Sequence, residues 1–414
     1  MRTLPLIFVG ALLIASCGGE VGIQTTSASA PTTAPASTTS TAAPATTQVS
    51  STTSATTTAA PTTTVGQVLE PAPTTDLVGT YYYPWYGADF HGGGYLREYL
   101  APAQLPALGE YDDRRSEVVA QHLEWSRRAG IDVWITSWWG RSSSEDRTIR
   151  QVILPHPDLG ATRIAIMYET TGTTAEFSDL DGIASDFGHL ARNFFSHPAY
   201  FSIEGRPVVV VYLTRVLADR DLLDTAVGEM RAGAAGESYD VFIVGDHAFG
   251  APRSGTGIEA LDAITNYDVY GAMGASGYAT RSDVARYASD QQGWNDLAVA
   301  AGAGFVPAAS PGFNDTGVRD GHDPLARSLV GEEPGSLFRE LLDAAASQRD
   351  DRVGGLVLIN SWNEWHEDTQ IEPVAAAPVT TGDDSASGTA FTFGLPYEGY
   401  GTRYLDILRE ALGG

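Results

Sequence analysis

From Leu77 onward the chain alternates between short apolar runs and longer stretches of mixed polarity. Eight runs read as strands: Val78–Tyr83, Asp132–Trp138, Arg163–Glu169, Pro207–Leu213, Val241–Asp246, Ala263–Tyr267, Gly304–Ala309 and Gly355–Ser361. Most are short, nearly continuous in apolar character, and rich in β-branched or aromatic residues, as expected of strands covered on both faces. Between them lie helical patterns over Ser116–Ala129, Leu180–Phe195, Ser282–Ala301 and Leu337–Ser347, with Thr402–Leu412 at the end. In the first of these, Val119 and Leu123 sit one turn apart, Ser116 is placed to cap the start, and Gly130 follows the end. Strand-then-helix repeated eight times predicts a single α/β domain, a (β/α)8 TIM barrel over residues 77–414. The competing doubly wound sheet carries a glycine-rich phosphate turn after its first strand. Here that strand runs into Tyr83-Pro84-Trp85-Tyr86-Gly87, which has no such turn.

The residues before the barrel follow a different pattern. Met1-Arg2 begins a short positive segment, Leu4 to Ala15 is apolar, and Ile14-Ala15-Ser16-Cys17 follows. A charged start, a short apolar core and small residues before a cut describe a secretory signal. The run falls short of the about 20 apolar residues that span a bilayer. The four residues ending in Cys17 resemble a bacterial lipobox, in which that cysteine becomes the lipid-bearing N-terminus. Residues 1–16 are therefore expected to be a lipoprotein signal peptide, Cys17 the lipidated residue, and the bacterial cell surface the location, with lipid as the only membrane contact. Residues 17–76 are mostly Thr, Ser, Ala and Pro, a composition without a core, expected to be a disordered tether about 40 Å in end-to-end extent.

Composition narrows the chemistry. The formal net charge is −26 and every basic residue is an arginine. Nucleic acid binding needs a basic footprint, so it is excluded as an expectation. A single Cys rules out a disulfide framework and any multi-cysteine metal site. His247 and His366 lack metal-binding spacing, and no Gly-x-Ser-x-Gly elbow is present. No metal, cofactor or second subunit is expected.

In a barrel the chemistry sits beyond the C-terminal strand ends. Those ends offer Tyr83, Trp85 and Tyr86 after the first strand, Trp138 after the second, and Glu169 after the third. They offer Tyr212 after the fourth, Asp246 after the fifth, Tyr267 after the sixth, and Asn363, Glu364, Trp365, His366 and Glu367 after the eighth. Aromatic rings beside carboxyl groups suit a sugar, whose C–H faces stack and whose hydroxyls donate. Cleaving a glycosidic bond calls for a proton donor and a second carboxylate. Glu364 and Glu367 are the candidates.

Several stretches carry a family likeness. They are Tyr82-Tyr83-Pro84-Trp85-Tyr86-Gly87, Ser137-Trp138-Trp139-Gly140, His197-Pro198-Ala199-Tyr200, Pro311-Gly312-Phe313, and above all Ser361 through Pro373 with Asn363-Glu364-Trp365-His366-Glu367 inside it. Together they resemble glycoside hydrolase family 99, the endo-α-mannosidases and endo-α-mannanases, over nearly all of 77–414. The resemblance implies a (β/α)8 barrel that acts within α-mannan or a related α-glycan, with retention. It implies Glu364 as base on the substrate's own 2-hydroxyl, giving a 1,2-anhydro-sugar, and Glu367 as general acid, then general base. It implies Trp138, Glu169 and Tyr267 as site residues. Three stretches depart from the family form: Met167-Tyr168-Glu169-Thr170-Thr171, Glu367-Asp368-Thr369-Gln370 and the loop Ala88–Leu100. They leave the sugar and linkage open. Two other readings stay open beside the hydrolase: a non-catalytic glycan-binding surface lipoprotein, and an enzyme of envelope-polysaccharide synthesis or remodelling.

Overall fold

A computed structural model describes residues 76–92, 94–170 and 180–413. The expected signal peptide, the lipidated Cys17 and all of the tether up to residue 75 lie outside the described residues.

The barrel strands are Val78–Tyr82, Val133–Trp138, Arg163–Tyr168, Arg206–Val211, Phe242–Asp246, Ala263–Thr265 and Val357–Ile359, with a divided seventh position at Gly304–Val306 and Ala308–Ala309. Each pairs in parallel with its neighbour in chain order. The ring closes through the divided strand. Gly304–Val306 pairs with Ala263–Thr265, while Ala308–Ala309 pairs with Leu358 and Ile359. Pro307 lies between them; it has no N–H to offer a ladder, but its carbonyl accepts from Leu358 N at 2.9 Å. Val78–Thr80 then pairs with Val357–Ile359 and closes the sheet on itself. All eight expected strands are present, mostly a residue or two shorter at their ends.

Alternate residues along a strand face opposite sides of the sheet, and the contacts here follow that rule. Tyr82 stacks on Trp134, with ring centroids 4.2 Å apart. The Trp134 indole N–H donates to Ser126 in the helix Ser116–Ala129, at 3.0 Å. These residues join the sheet to its helical coat. Tyr81, Tyr83, Ser137 and Glu169 have the opposite parity and meet one another's neighbours inside the ring. Gly79 belongs to that inner set; a Cβ there would meet the Leu358 side chain at 2.7 Å.

Ser116 does not cap its helix. It is the first helical residue, and its hydroxyl bonds His156 Nε2 at 2.9 Å instead. Gly130 ends the helix in the left-handed conformation, at φ 77. Outside the strand reading lie a short strand, Ser202–Ile203, antiparallel to the start of the barrel strand Arg206–Val211, and two small sheets, Gly277–Ala279 with Leu325–Leu329 and the antiparallel pair Val374–Thr380 with Tyr397–Gly401. Among the described residues no helix is long and apolar enough to cross a membrane.

Candidate active site

The last barrel strand delivers the chain into a tightly held turn. Asn363 is buried and works as a clasp to the end of the first strand. Its side-chain oxygen accepts from Tyr83 N at 2.8 Å, and its amide donates to Tyr83 O at 3.0 Å and Tyr111 Oη at 3.3 Å. Tyr86 Oη donates to Asn363 O at 2.7 Å and accepts from Trp365 N at 3.1 Å. Behind the turn, Glu372 collects Trp365 Nε1 and Tyr111 Oη, each at 2.8 Å, and His122 Nε2 at 3.1 Å. Trp365–Glu367 forms one tight helical turn capped by Glu364, whose carboxyl accepts from His366 N at 3.0 Å. Both side-chain polar atoms of Asn363 and the indole N–H of Trp365 are thus bonded within the protein, so these side chains support the turn.

Three carboxyl groups converge above the barrel. Glu367 takes Tyr267 Oη at 3.3 Å and Arg319 Nη1 at 3.2 Å on its two oxygens. Glu169 accepts from Ser137 Oγ at 2.7 Å, and Ser137 Oγ accepts from Trp139 Nε1 at 2.8 Å. Glu364 lies against His366, its Oε1 at 3.1 Å from Nδ1. Loss of water disfavours a buried charge. Burial lifts Glu364 to about 8, against the pull of the Arg319 cation. It lifts Glu367 to about 7, again opposed by Arg319 and assisted by repulsion from Glu364. Glu169 rises to about 8 by burial, opposed by the Ser137 hydrogen bond, with Glu364 and Glu367 repelling its charge further. Burial and Arg319 push His366 down to about 4. Its imidazole is therefore neutral near pH 7, and its contact with Glu364 is a hydrogen bond rather than an ion pair.

Tyr267 is itself fixed. Its backbone N–H donates to Asp246 Oδ1 at 2.9 Å, its hydroxyl bonds that of Tyr83, and Tyr81 and Tyr212 meet its ring edge-on at 5.0 and 5.1 Å. Asp246 is fully buried; besides Tyr267 it holds Leu213 N at 3.1 Å and the Arg215 guanidinium. Its role in this geometry is to hold Tyr267 rather than to meet a ligand.

The aromatic side of the site is built around half-buried Trp85. Its ring centroid lies 4.7 Å from Tyr83, 4.8 Å from His91, 5.6 Å from His366 and 6.0 Å from Trp139. Trp138 is elsewhere. Its indole donates to Asp146 at 3.1 Å and its ring lies by Tyr168 and His189, on the helix side of the sheet. Strand parity places Trp139 by the site and turns Trp138 away. Sequence reasoning also passed over Arg319. It reaches in from the loop after the seventh strand, shared between Glu367 and Asp315, the latter at 3.1 Å, while His322 holds the same Asp315 oxygen at 2.8 Å. Among the described residues no group of three or more His, Cys, Asp or Glu is arranged to hold a metal ion.

Residues 78–382 match the model of glycosyl hydrolase family 99, and the chain belongs to that family. It is a glycosidase. It is 22% identical to a glycoprotein endo-alpha-1,2-mannosidase of Rattus norvegicus over 381 residues, covering 82% of this chain and 75% of the relative. It is 23% identical to a human glycoprotein endo-alpha-1,2-mannosidase-like protein over 347 residues, covering 73% of this chain and 70% of that one. Among solved structures, the endo-alpha-mannosidase of this family from Bacteroides thetaiotaomicron, in complex with bis-tris-propane, superposes with a TM-score of 0.56 at 23% identity. That match covers 81% of this chain and 98% of the other, and it carries the barrel fold.

Proposed function

We propose that the chain cleaves α-mannan or a related α-linked glycan internally and with retention, with Glu364 as base and Glu367 as general acid and base. The observation that carries this reading is the pair of carboxyls at the ends of one short turn, Glu364 buried and Glu367 mostly so, both raised toward neutrality, one beside His366 and the other beside Tyr267. In an α-mannoside the axial 2-hydroxyl lies trans to the leaving group. Glu364 takes the proton of that hydroxyl, O2 attacks C1, and the C1–O bond to the leaving sugar breaks. Glu367 supplies the proton that the departing oxygen needs. Water then opens the 1,2-anhydro ring at C1; Glu367 accepts the water's proton and Glu364 returns its own to O2. Two inversions give retention, outside the usual covalent carboxylate scheme. Glu169, bonded to Ser137, is placed to accept from a sugar hydroxyl, and Trp85 and Tyr83 offer stacking faces.

The decisive experiment replaces the 2-hydroxyl of the reacting mannosyl unit by hydrogen. Turnover should vanish while the intact substrate is hydrolysed; normal turnover of the deoxy substrate would eliminate the anhydro route. A product profile on mannans of defined linkage reads out sugar, linkage and internal action together. The same reading places the enzyme on the cell surface through lipid on Cys17. Cys17→Ala should then release it from membranes, and retention of that variant would remove the anchor.

A further inference from the structure

Asp368 follows Glu367 directly and is buried, in the left-handed conformation at φ 48. Asp and Asn enter that region more readily than other side-chain-bearing residues. Its carboxylate lies between two buried arginines. Arg97 Nε bonds Oδ1 at 2.5 Å and Arg327 Nε bonds Oδ2 at 3.2 Å. Arg327 also grips the backbone, donating to Asp368 O at 2.6 Å and Gln370 O at 3.0 Å. Gln370 Nε2 returns to Asp368 Oδ1 at 3.1 Å. The two guanidinium groups each sit 5.0 Å from the Tyr400 ring centroid, and Arg97 reaches Gln104 at 2.6 Å and Glu398 O at 3.0 Å. One peptide earlier, Asn314 N donates to Glu367 O at 2.7 Å.

None of the contacts described for Arg97, Arg327 or Asp368 reaches the three converging carboxyls. Buried ion pairs add little net stability, because desolvation offsets their attraction. What they fix is geometry. The Asn314 amide holds the carbonyl of Glu367, and the two arginines hold the side chain of the next residue, with Arg327 also holding its carbonyl, so the backbone that aims Glu367 is fixed at two successive peptides. Burial opposes the charge on Asp368, yet the two arginines keep its carboxyl below the usual range, so the clamp is ionised at working pH.

We propose that Asp368, held by Arg97 and Arg327, is a positioning residue that sets the aim of Glu367 for proton transfer. The proposal rests on Glu367 being the general acid. Its test separates proton transfer from folding. Asp368→Asn keeps the shape and tolerates the left-handed backbone but removes the charge. The full chain carrying it is assayed on an α-mannooligosaccharide and on the same donor with a 2,4-dinitrophenyl leaving group, which needs no proton. On the oligosaccharide, kcat should fall about 10- to 100-fold with KM nearly unchanged, while the aryl substrate should lose less than about 3-fold. Equal losses on the two substrates, or no loss on either, would overturn the proposal. Should Asp368→Asn fail to melt cooperatively, Arg327→Lys retains the charge and loses the grip on both carbonyls. The same selective loss is expected of it, and an equal loss or none again overturns the proposal. Glu367→Gln is the control. If it shows no such split, the acid assignment falls and takes the clamp with it; if it shows the split and the clamp variants do not, the clamp alone falls.

Discussion

Two loops meet at Glu367 and are built in opposite ways. The turn after the last strand, Asn363 to Glu372, is buried apart from the partly exposed Glu367, and side chains from distant parts of the chain hold it. Arg319, from the loop after the seventh strand, is partly exposed and touches Glu367 with one nitrogen that also serves Asp315. The first loop fixes where the carboxyls are. The second adjusts how readily they ionise, because a cation beside them favours the charged form. Position is set by buried groups bonded to distant parts of the chain, and charge by an arm at the rim.

Breaking the first loop's chemistry should have the largest effect. Glu367→Gln and Glu364→Gln should each lower kcat/KM on unactivated mannan by about 10³-fold, the scale of a lost acid or base, measured as initial rates of reducing-end release. Next comes the support. Glu372→Ala removes the acceptor of three buried donors, Trp365, Tyr111 and His122, and should cost about 3 kcal/mol or more by urea denaturation, with activity lost alongside.

The second loop should act through pH. On the proposed roles, the active form needs Glu364 ionised and Glu367 protonated. With values of about 8 and about 7, both are protonated at low pH and both ionised at high pH, so kcat/KM should be bell-shaped with its maximum between about 7 and about 8. Arg319 lowers both groups, so Arg319→Gln should move the whole bell to higher pH; a bell that stays in place would detach Arg319 from the carboxyls.

The smallest effect concerns stability. Glu169 is raised to about 8 in the fold, above its value in an unfolded chain. Its protonated form therefore favours folding at low pH, and that contribution is lost as pH rises through about 8. Glu169→Gln should raise the melting temperature by about 5 °C at pH 8.5, with the gap shrinking toward pH 5.

The sequence made the barrel legible because eight apolar runs, separated by helical patterns, admit few arrangements. It also exposed Glu364 and Glu367, since they follow the last strand. What escaped it shares a physical origin. A strand buried on both faces shows no alternation, so nothing in Ser137-Trp138-Trp139 says which ring looks inward. Only the sheet's parity gives the site to Trp139. Arg319 and the arginines around Asp368 lie tens to hundreds of residues from what they bind, and one arginine reads like another until the chain is folded. The antiparallel pair Val374–Thr380 and Tyr397–Gly401 was hidden by an Ala-rich, Pro-containing strand and a Gly-containing one, neither of which has strand-like composition.

The closure of the barrel also governs when the enzyme can come into being. Val78–Thr80 pairs with Val357–Ile359, a contact between residues 279 positions apart, and the two proposed catalytic carboxyls follow the later strand directly. Contacts of such long sequence separation are slow to form, because their loop entropy is lost before the contact repays it. The first strand can pair with Val133–Thr136 early, but its pairing with Val357–Ile359 must wait for nearly the whole domain. A chain that ends before Ser361 lacks both the turn that follows the closing strand and the two proposed catalytic carboxyls, so barrel closure and completion of the site are one event.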